Sequence, residues 1–161
     1  MSRDNRPENV KIVVFEETRV AVLEHKGDPR LIGDSVRQFI EWRKQSTPSR
    51  RVSATFNILH DDPSTTPPQD FRLDICVATD RPVAENAFCV TEKRIPGGRC
   101  AVLRHVGSDD TLGETLKFLY ATWLPASGEE TRDYPLFVQR VRFFPDVPEH
   151  EAITDVFLPL K

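Results

Sequence analysis

Residues 19–43 of the chain recur 80 positions later. Arg19, Ala21, Val22, Leu23, His25, Gly27 and Gly33 return as Arg99, Ala101, Val102, Leu103, His105, Gly107 and Gly113, without a gap. The apolar positions that follow obey the same shift: Ile32, Val36, Phe39 and Ile40 become Leu112, Leu116, Leu119 and Tyr120. A self-similarity of this span excludes an array of many short repeats and makes each half of the chain build the same supersecondary unit. Two such units facing each other across a pseudo-two-fold axis are expected to leave a cleft at their junction, and clefts accommodate small ligands.

Local signals give the order within each half. Val10–Phe15 is short and β-branched, Glu16–Thr18 is polar, and Arg19–His25 is a second apolar run, which predicts a hairpin. Gly27 ends the second strand. Asp28-Pro29 then supplies an N-cap acceptor followed by proline in the first helical turn. The helix expected over Pro29–Gln45 carries Ile32, Val36, Phe39 and Ile40 on one stripe. Ser46–Arg51 reads as a loop, and Val52–His60 and Phe71–Thr79 as strands joined by the proline-dense Asp61–Asp70. Half two repeats this order. Ala87–Ile95 and Arg99–His105 read as a hairpin about Pro96-Gly97-Gly98, where glycine supplies a positive φ. Ser108 caps a helix over Asp109–Trp123, Pro125–Pro135 is a loop, and Leu136–Phe143 and Ala152–Leu160 are strands.

The expected fold is therefore α+β, with duplicated β-β-α-β-β (strand-helix-strand-strand) units about a pseudo-two-fold, an antiparallel curved sheet and two helices. It forms one domain over residues 1–161, half one at about 8–80 and half two at about 86–161. Phe56, Ile58 and Leu59, and likewise Phe137, Val138 and Val141, put apolar side chains on both faces of their strands. A second apolar face implies shielding by curvature or by a ligand cavity.

Composition narrows the function. The net charge is −3, with acidic and basic residues interspersed. No basic stripe is present, so direct nucleic-acid binding is not expected. Cys76, Cys89 and Cys100 are far apart and lack zinc-ligand spacing, which argues against a metal site and a disulfide framework. The N-terminal MSRDNRPENVK has no apolar core of a signal peptide, and no segment approaches the roughly 18 apolar residues of a membrane span. The expectation is a soluble, cytoplasmic chain with no membrane partner.

Three segments carry a family resemblance: DDPSTTPPQDFRLDICV (Asp61–Val77), IPGGRCAVLRHVGSDD (Ile95–Asp110) and PDVPEHEAITDVFLPLK (Pro145–Lys161). With the N-terminal hairpin they span essentially the whole chain, which resembles the GyrI-like family, including the effector-binding domains of AraC-type regulators. The resemblance implies a pocket for small, often apolar or cationic, molecules in a stand-alone member without helix-turn-helix segments. One stretch departs from it. The family pattern P-x-F-E-x-Y reads here Pro135-Leu136-Phe137-Val138-Gln139-Arg140, so the pocket acid is replaced by Val138 and the tyrosine by Arg140. A buried ligand cation needs an anion or an aromatic face, so a neutral or anionic ligand is favoured over a cationic one.

The remaining candidates read as structural. His25 and His105 end equivalent strands before glycine turns, which suits hydrogen-bonded imidazoles inherited by duplication. His60-Asp61-Asp62 has no third metal ligand at a readable spacing. Asp74 and Asp155 are equivalent by repeat and read as structural carboxylates, for example bonding a neighbouring turn's amides. No nucleophile–base constellation is present, so no catalytic residue, cofactor or metal is assigned. A haem-carrier reading lacks an axial ligand. The leading expectation is a non-enzymatic small-molecule-binding domain whose ligand contacts Asn57, Leu59, Tyr120, Trp123, Val138 and Arg140. The alternative is a gyrase-inhibitor-like protein that binds DNA gyrase and reduces its activity. The face of the sheet occupied by residues 138 and 140 is the observation that most affects the pocket assignment, because both lying on the helix-packed face would undo it. Ligand identity and oligomeric state are not readable.

Overall fold

A computed structural model describes residues 5–46, 54–143 and 146–161. The expected beginning of the third strand at Val52-Ser53, most of the loop Ser46–Arg51, and Pro145 lie outside the described residues. In chain order the strands are β1 (Lys11–Phe15), β2 (Thr18–Lys26), β3 (Thr55–Leu59), β4 (Arg72–Ala78), β5 (Thr91–Ile95), β6 (Gly98–Val106), β7 (Phe137–Arg142) and β8 (Ile153–Pro159). Helix α1 is Ile32–Gln45; α2 (Leu112–Lys117) runs through a π-helical turn, Phe118–Trp123, into α3 (Leu124–Ser127).

Two compact units result. The internal unit is Glu17–Ile95, and the terminal unit combines the residues up to Glu16 with Pro96–Lys161. All pairings within them are antiparallel. The internal unit has the strand order β5-β2-β4-β3, and the terminal unit β1-β6-β8-β7. This is the α+β duplication expected from the repeat.

Both expected hairpins are absent. β1 pairs with β6, not with β2, and β5 pairs with β2, not with β6. The connections explain why. Two-residue hairpins need positive φ at their first central residue. Glu16 opens one connection and Pro96, with φ fixed near −65°, opens the other. Each first strand therefore pairs with the second strand of the other sequence half. Gly98 serves a different purpose from a turn. Its φ is +144°, and a Cβ there would collide with the Arg132 guanidinium, whose Cζ would lie at 2.9 Å.

The caps are as expected: Asp28 accepts from the Arg30 amide and Ser108 from the Asp110 amide, each opening a short 3-10 turn before its helix. The two histidines tie strand ends to those helices. His25 meets Ser35 Oγ at 2.8 Å and the Asp28 carbonyl at 3.1 Å. His105 meets Thr115 Oγ1 at 2.9 Å and the Ser108 carbonyl at 3.0 Å. A carbonyl only accepts, so Nε2 is the donor to it in both rings. These are the hydrogen-bonded scaffold histidines that the duplication suggested.

The helices cover one face of each sheet. In the internal unit Ala21, Leu23, Ile75 and Val77 pack with Phe39 and Val90, bordered by Trp42, Val83 and Phe88. The loop before β5 closes this core. Asn86 Oδ1 accepts from the Phe88 and Val90 amides, and Gln38 donates to the Phe88 carbonyl. The strand expected from Ala87 therefore begins only at Thr91. On the opposite face of the terminal unit, Phe137 stacks on Phe157 at 5.0 Å with Phe15 edge-on to both. At Phe137 and Val138 the shielding expected from the apolar pattern of β7 is provided by side chains, whereas Val141 is 40% exposed.

Candidate functional site

Helix α1 does not bury the whole stripe that its periodicity suggests. Phe39 is 3% exposed, but Val36 is 36% and Ile40 44% exposed, while Trp42, stacked on Phe39, completes the packed side. The helix is rotated about its axis so that the larger aromatic pair faces the sheet. The duplicated positions behave alike: Leu116 is half-buried, and Tyr120, equivalent to Ile40, is 47% exposed. Each unit thus leaves the same apolar helix flank open to solvent.

The second helix differs from the first by one inserted residue. Leu119 is Phe39 shifted by 80, yet Trp123 corresponds to Trp42 shifted by 81, and Asp155 to Asp74 by 81. The extra residue sits in the π-helical turn, where the Leu124 amide reaches back to the Leu119 carbonyl, five residues away. Pro125 favours this arrangement because it has no amide to bond the Ala121 carbonyl and its ring would press on it. The helix consequently runs through Pro125 to Ser127, where a loop was expected, and Gly128 ends it at φ +75°. The turn displays Tyr120 and half-buried Trp123 one above the other. Burial raises the Tyr120 phenol above its ordinary pKa although 47% of the residue is exposed.

Strand register places the other expected residues. Val138 pairs with Val156 and Arg140 with Thr154, and these partners share the face of Leu103 and His105, on which α2 lies. Val138 is 0% exposed and is core. Arg140 donates to Asp109 at 2.6 Å and to Thr154 Oγ1 at 3.3 Å, so its charge is neutralised beside the helix start. In the internal unit Asn57 and Leu59 hold the equivalent helix-side positions; both are half-buried, and Asn57 donates to the Asp74 carbonyl at 3.3 Å. Val138 and Arg140 thus both lie on the helix-packed face, the arrangement that undoes the pocket wall expected of this pair. Tyr120, Trp123, Asn57, Leu59 and Arg140 are accessible. Asp109, the partner of Arg140, was not anticipated; its sequence signal is divergence, since the equivalent internal pair is Pro29 and Leu59.

The opposite face carries the charged residues. In the terminal unit Arg104 grips its cross-strand partner Asp155 at 2.8 and 3.1 Å. In the internal unit the equivalent partners are both acidic, Glu24 and Asp74. Lys93 bridges them, and His60 Nε2 lies 2.9 Å from Asp74. Burial pushes the Asp74 carboxyl up, but His60 and Lys93 outweigh it and hold it below the usual range. Both aspartates are thus ion-pair anchors, in place of the turn-amide acceptors expected. Burial likewise pushes the Cys76 thiol up, leaving it unreactive. Among the described residues no group of three or more His, Cys, Asp or Glu is placed to hold a metal, and no helix is long and apolar enough to cross a membrane.

Comparison with known proteins points in one direction. Residues 8–161 match the family described as a GyrI-like small molecule binding domain. The chain is 40% identical over 153 residues to the probable transcriptional regulator YgiV of Escherichia coli K12, covering 94% of this chain and 96% of that one. Among solved structures, the EcmrR C-terminal domain superposes with a TM-score of 0.74 at 14% identity, covering 94% of this chain and 96% of that chain. EcmrR in a complex with DNA gives a TM-score of 0.78 at 14% identity; the match covers 94% of this chain and 57% of that longer one. At such identities these two structures establish a shared fold.

Proposed function

This chain belongs to the GyrI-like small-molecule-binding family, and we propose that it is a single-domain regulatory protein that binds a small, largely apolar, neutral ligand. A binding protein, not an enzyme, is what the family and the regulator-named relative indicate. The observation that supports the ligand class is the open apolar flank on each helix, Val36 and Ile40 in one unit, Leu116 and Tyr120 in the other. Exposed apolar clusters of this kind are costly in water and mark binding surfaces. Tyr120 and Trp123 offer ring faces with a polar handle at the rim. Arg140, already paired with Asp109, leaves no net charge to attract an ion, which favours a neutral ligand over both anionic and cationic ones.

Thermal shift against soluble ligand panels tests this reading. A ligand at about 100 times its Kd adds about 2.7 kcal/mol, which in a chain of this size raises Tm by roughly 5–10 °C. Trp42 and Trp123 are the only two tryptophans, so the Trp42→Phe protein reports ligand at Trp123 through fluorescence. Tyr120→Ala should abolish both signals while leaving the unliganded Tm within about 2 °C. Asn57→Ala and Leu59→Ala are read out in the same way. Melting points unmoved by neutral, anionic and cationic panels alike would sink the proposal.

A further inference from the structure

β1 is the outer strand of the terminal unit and, among the described residues, pairs only with β6. Its side chains are wet on both faces: Ile12 is 43%, Val13 37% and Val14 77% exposed. Register puts Ile12 and Val14 on the face of Ala101 and Arg99, and Lys11, Val13 and Phe15 on the other. β5 is the same strand 80 residues later and holds the same outer position in the internal unit. There Glu92, Lys93 and Arg94 replace Ile12, Val13 and Val14. Charged side chains guard an open strand edge against pairing with another molecule. One copy of the duplicated strand carries that guard, and the other has apolar residues in its place.

We infer that β1 is a dimerisation edge, which adds to its sheet the β1 strand of a second copy of this chain, running antiparallel. The charges at its ends favour a second copy as the occupant. Lys11 begins the strand, and Glu16 and Glu17 follow it, Glu17 also lying 3.4 Å from Arg94. Antiparallel self-pairing brings the basic end of each strand to the acidic end of the other, twice by symmetry, whereas parallel pairing aligns like charges. A two-fold axis perpendicular to a sheet keeps every side chain on its face, so only residues of equal parity become partners. With Val14 opposite itself, Val13 meets Phe15 and Ile12 meets Glu16 of the second copy, and Lys11 comes beside the acidic pair that follows its β1. The apolar side chains then lose water on both faces. The charged β5 edge does not offer the same docking, so the assembly closes at two copies.

Sedimentation of the full chain over a range of concentrations tests the inference. The unaltered protein should dimerise at or below about 100 micromolar, since association follows mass action. Val14→Lys should weaken the dimer at least about tenfold by opposing like charges and removing apolar contact, while the Tm read at concentrations too low for pairing stays unchanged because the residue is exposed. Lys11→Glu should weaken it too, and adding Glu16→Lys and Glu17→Lys to the same chain should restore it, because the exchanged charges complement each other again. Independently of folding energetics, Val14→Cys in a Cys89→Ser background should oxidise to a disulfide-linked dimer, since the two copies of residue 14 face each other across the axis at about 5 Å, whereas Val13→Cys, which faces Phe15, should not. A monomer at every concentration, a dimer indifferent to Val14→Lys, or no cross-link from Val14→Cys would overturn the inference.

Discussion

The two units answer the same electrostatic problem differently, and exchanging their answers is a sharp test of the scaffold. Lys93 Nζ lies 3.2 Å from Asp74 Oδ2 and 2.5 Å from Glu24 Oε1. Glu24 and Asp74 are direct cross-strand partners, so removing the ammonium leaves two carboxylates facing each other. Unit charges about 4 Å apart attract by about 4 kcal/mol at an effective dielectric of 20. The Lys93 and Glu24 side chains are 37% and 59% exposed, and solvent screening cuts this to about 1–2 kcal/mol. Like charges directly opposite add a few tenths, about 0.5 kcal/mol. Lys93→Val, which installs the residue found at the equivalent Val13, should therefore cost about 2 kcal/mol at pH 7. Adding Glu24→Arg, the residue found at the equivalent Arg104, should recover most of that loss, because an arginine at position 24 can grip Asp74 as Arg104 grips Asp155. Glu24→Arg alone should bring no gain over the parent, since the new guanidinium crowds Lys93. Urea unfolding reads all three, as shifts of midpoint at constant slope. A Lys93→Val midpoint equal to the parent's, or a double variant no better than Lys93→Val, would refute the assignment of Lys93 as the bridge.

Acid titration and one glycine probe the same scaffold. With Asp74 held below the usual carboxylate range, its contribution is present above its unfolded pKa of about 3.9 and is lost as pH falls through the lower folded value; Asp74→Asn should destabilise at neutral pH and flatten the acid limb of a stability–pH curve. Gly98→Ala meets both a φ of +144° and the Arg132 guanidinium, and should lower stability in urea unfolding by about 1–3 kcal/mol, a loss that Arg132→Ala only partly relieves because the backbone strain remains.

Much of the architecture is legible in the chain itself because its causes are local. The offset of 80, the caps at Asp28 and Ser108, the glycines after each second strand and the proline-dense connectors all act within a few residues, and each structured element lies close to where they put it. The change of offset to 81 at Trp123 and Asp155 even marks the inserted residue of the π-helical turn. The choice among equivalent partners is not legible. β1 and β5 are the same strand by pattern, so β6 and β2 each have two suitors, and only turn chemistry and long-range packing decide between them. Helix rotation is likewise a tertiary outcome: periodicity puts Val36 and Ile40 on the buried stripe, and the competition between the Phe39–Trp42 pair and the rest of that stripe for the sheet leaves them in water. Val138 and Arg140 stand out by departure from a family pattern, but burial of the first depends on its sheet neighbours, and neutralisation of the second by Asp109 on a contact between residues 31 apart in sequence. The duplicated elements were thus written into the chain, since propensity and capping are short-range. Strand exchange, the open helix flanks and the bare β1 edge arose only on folding, since they depend on which equivalent surfaces meet.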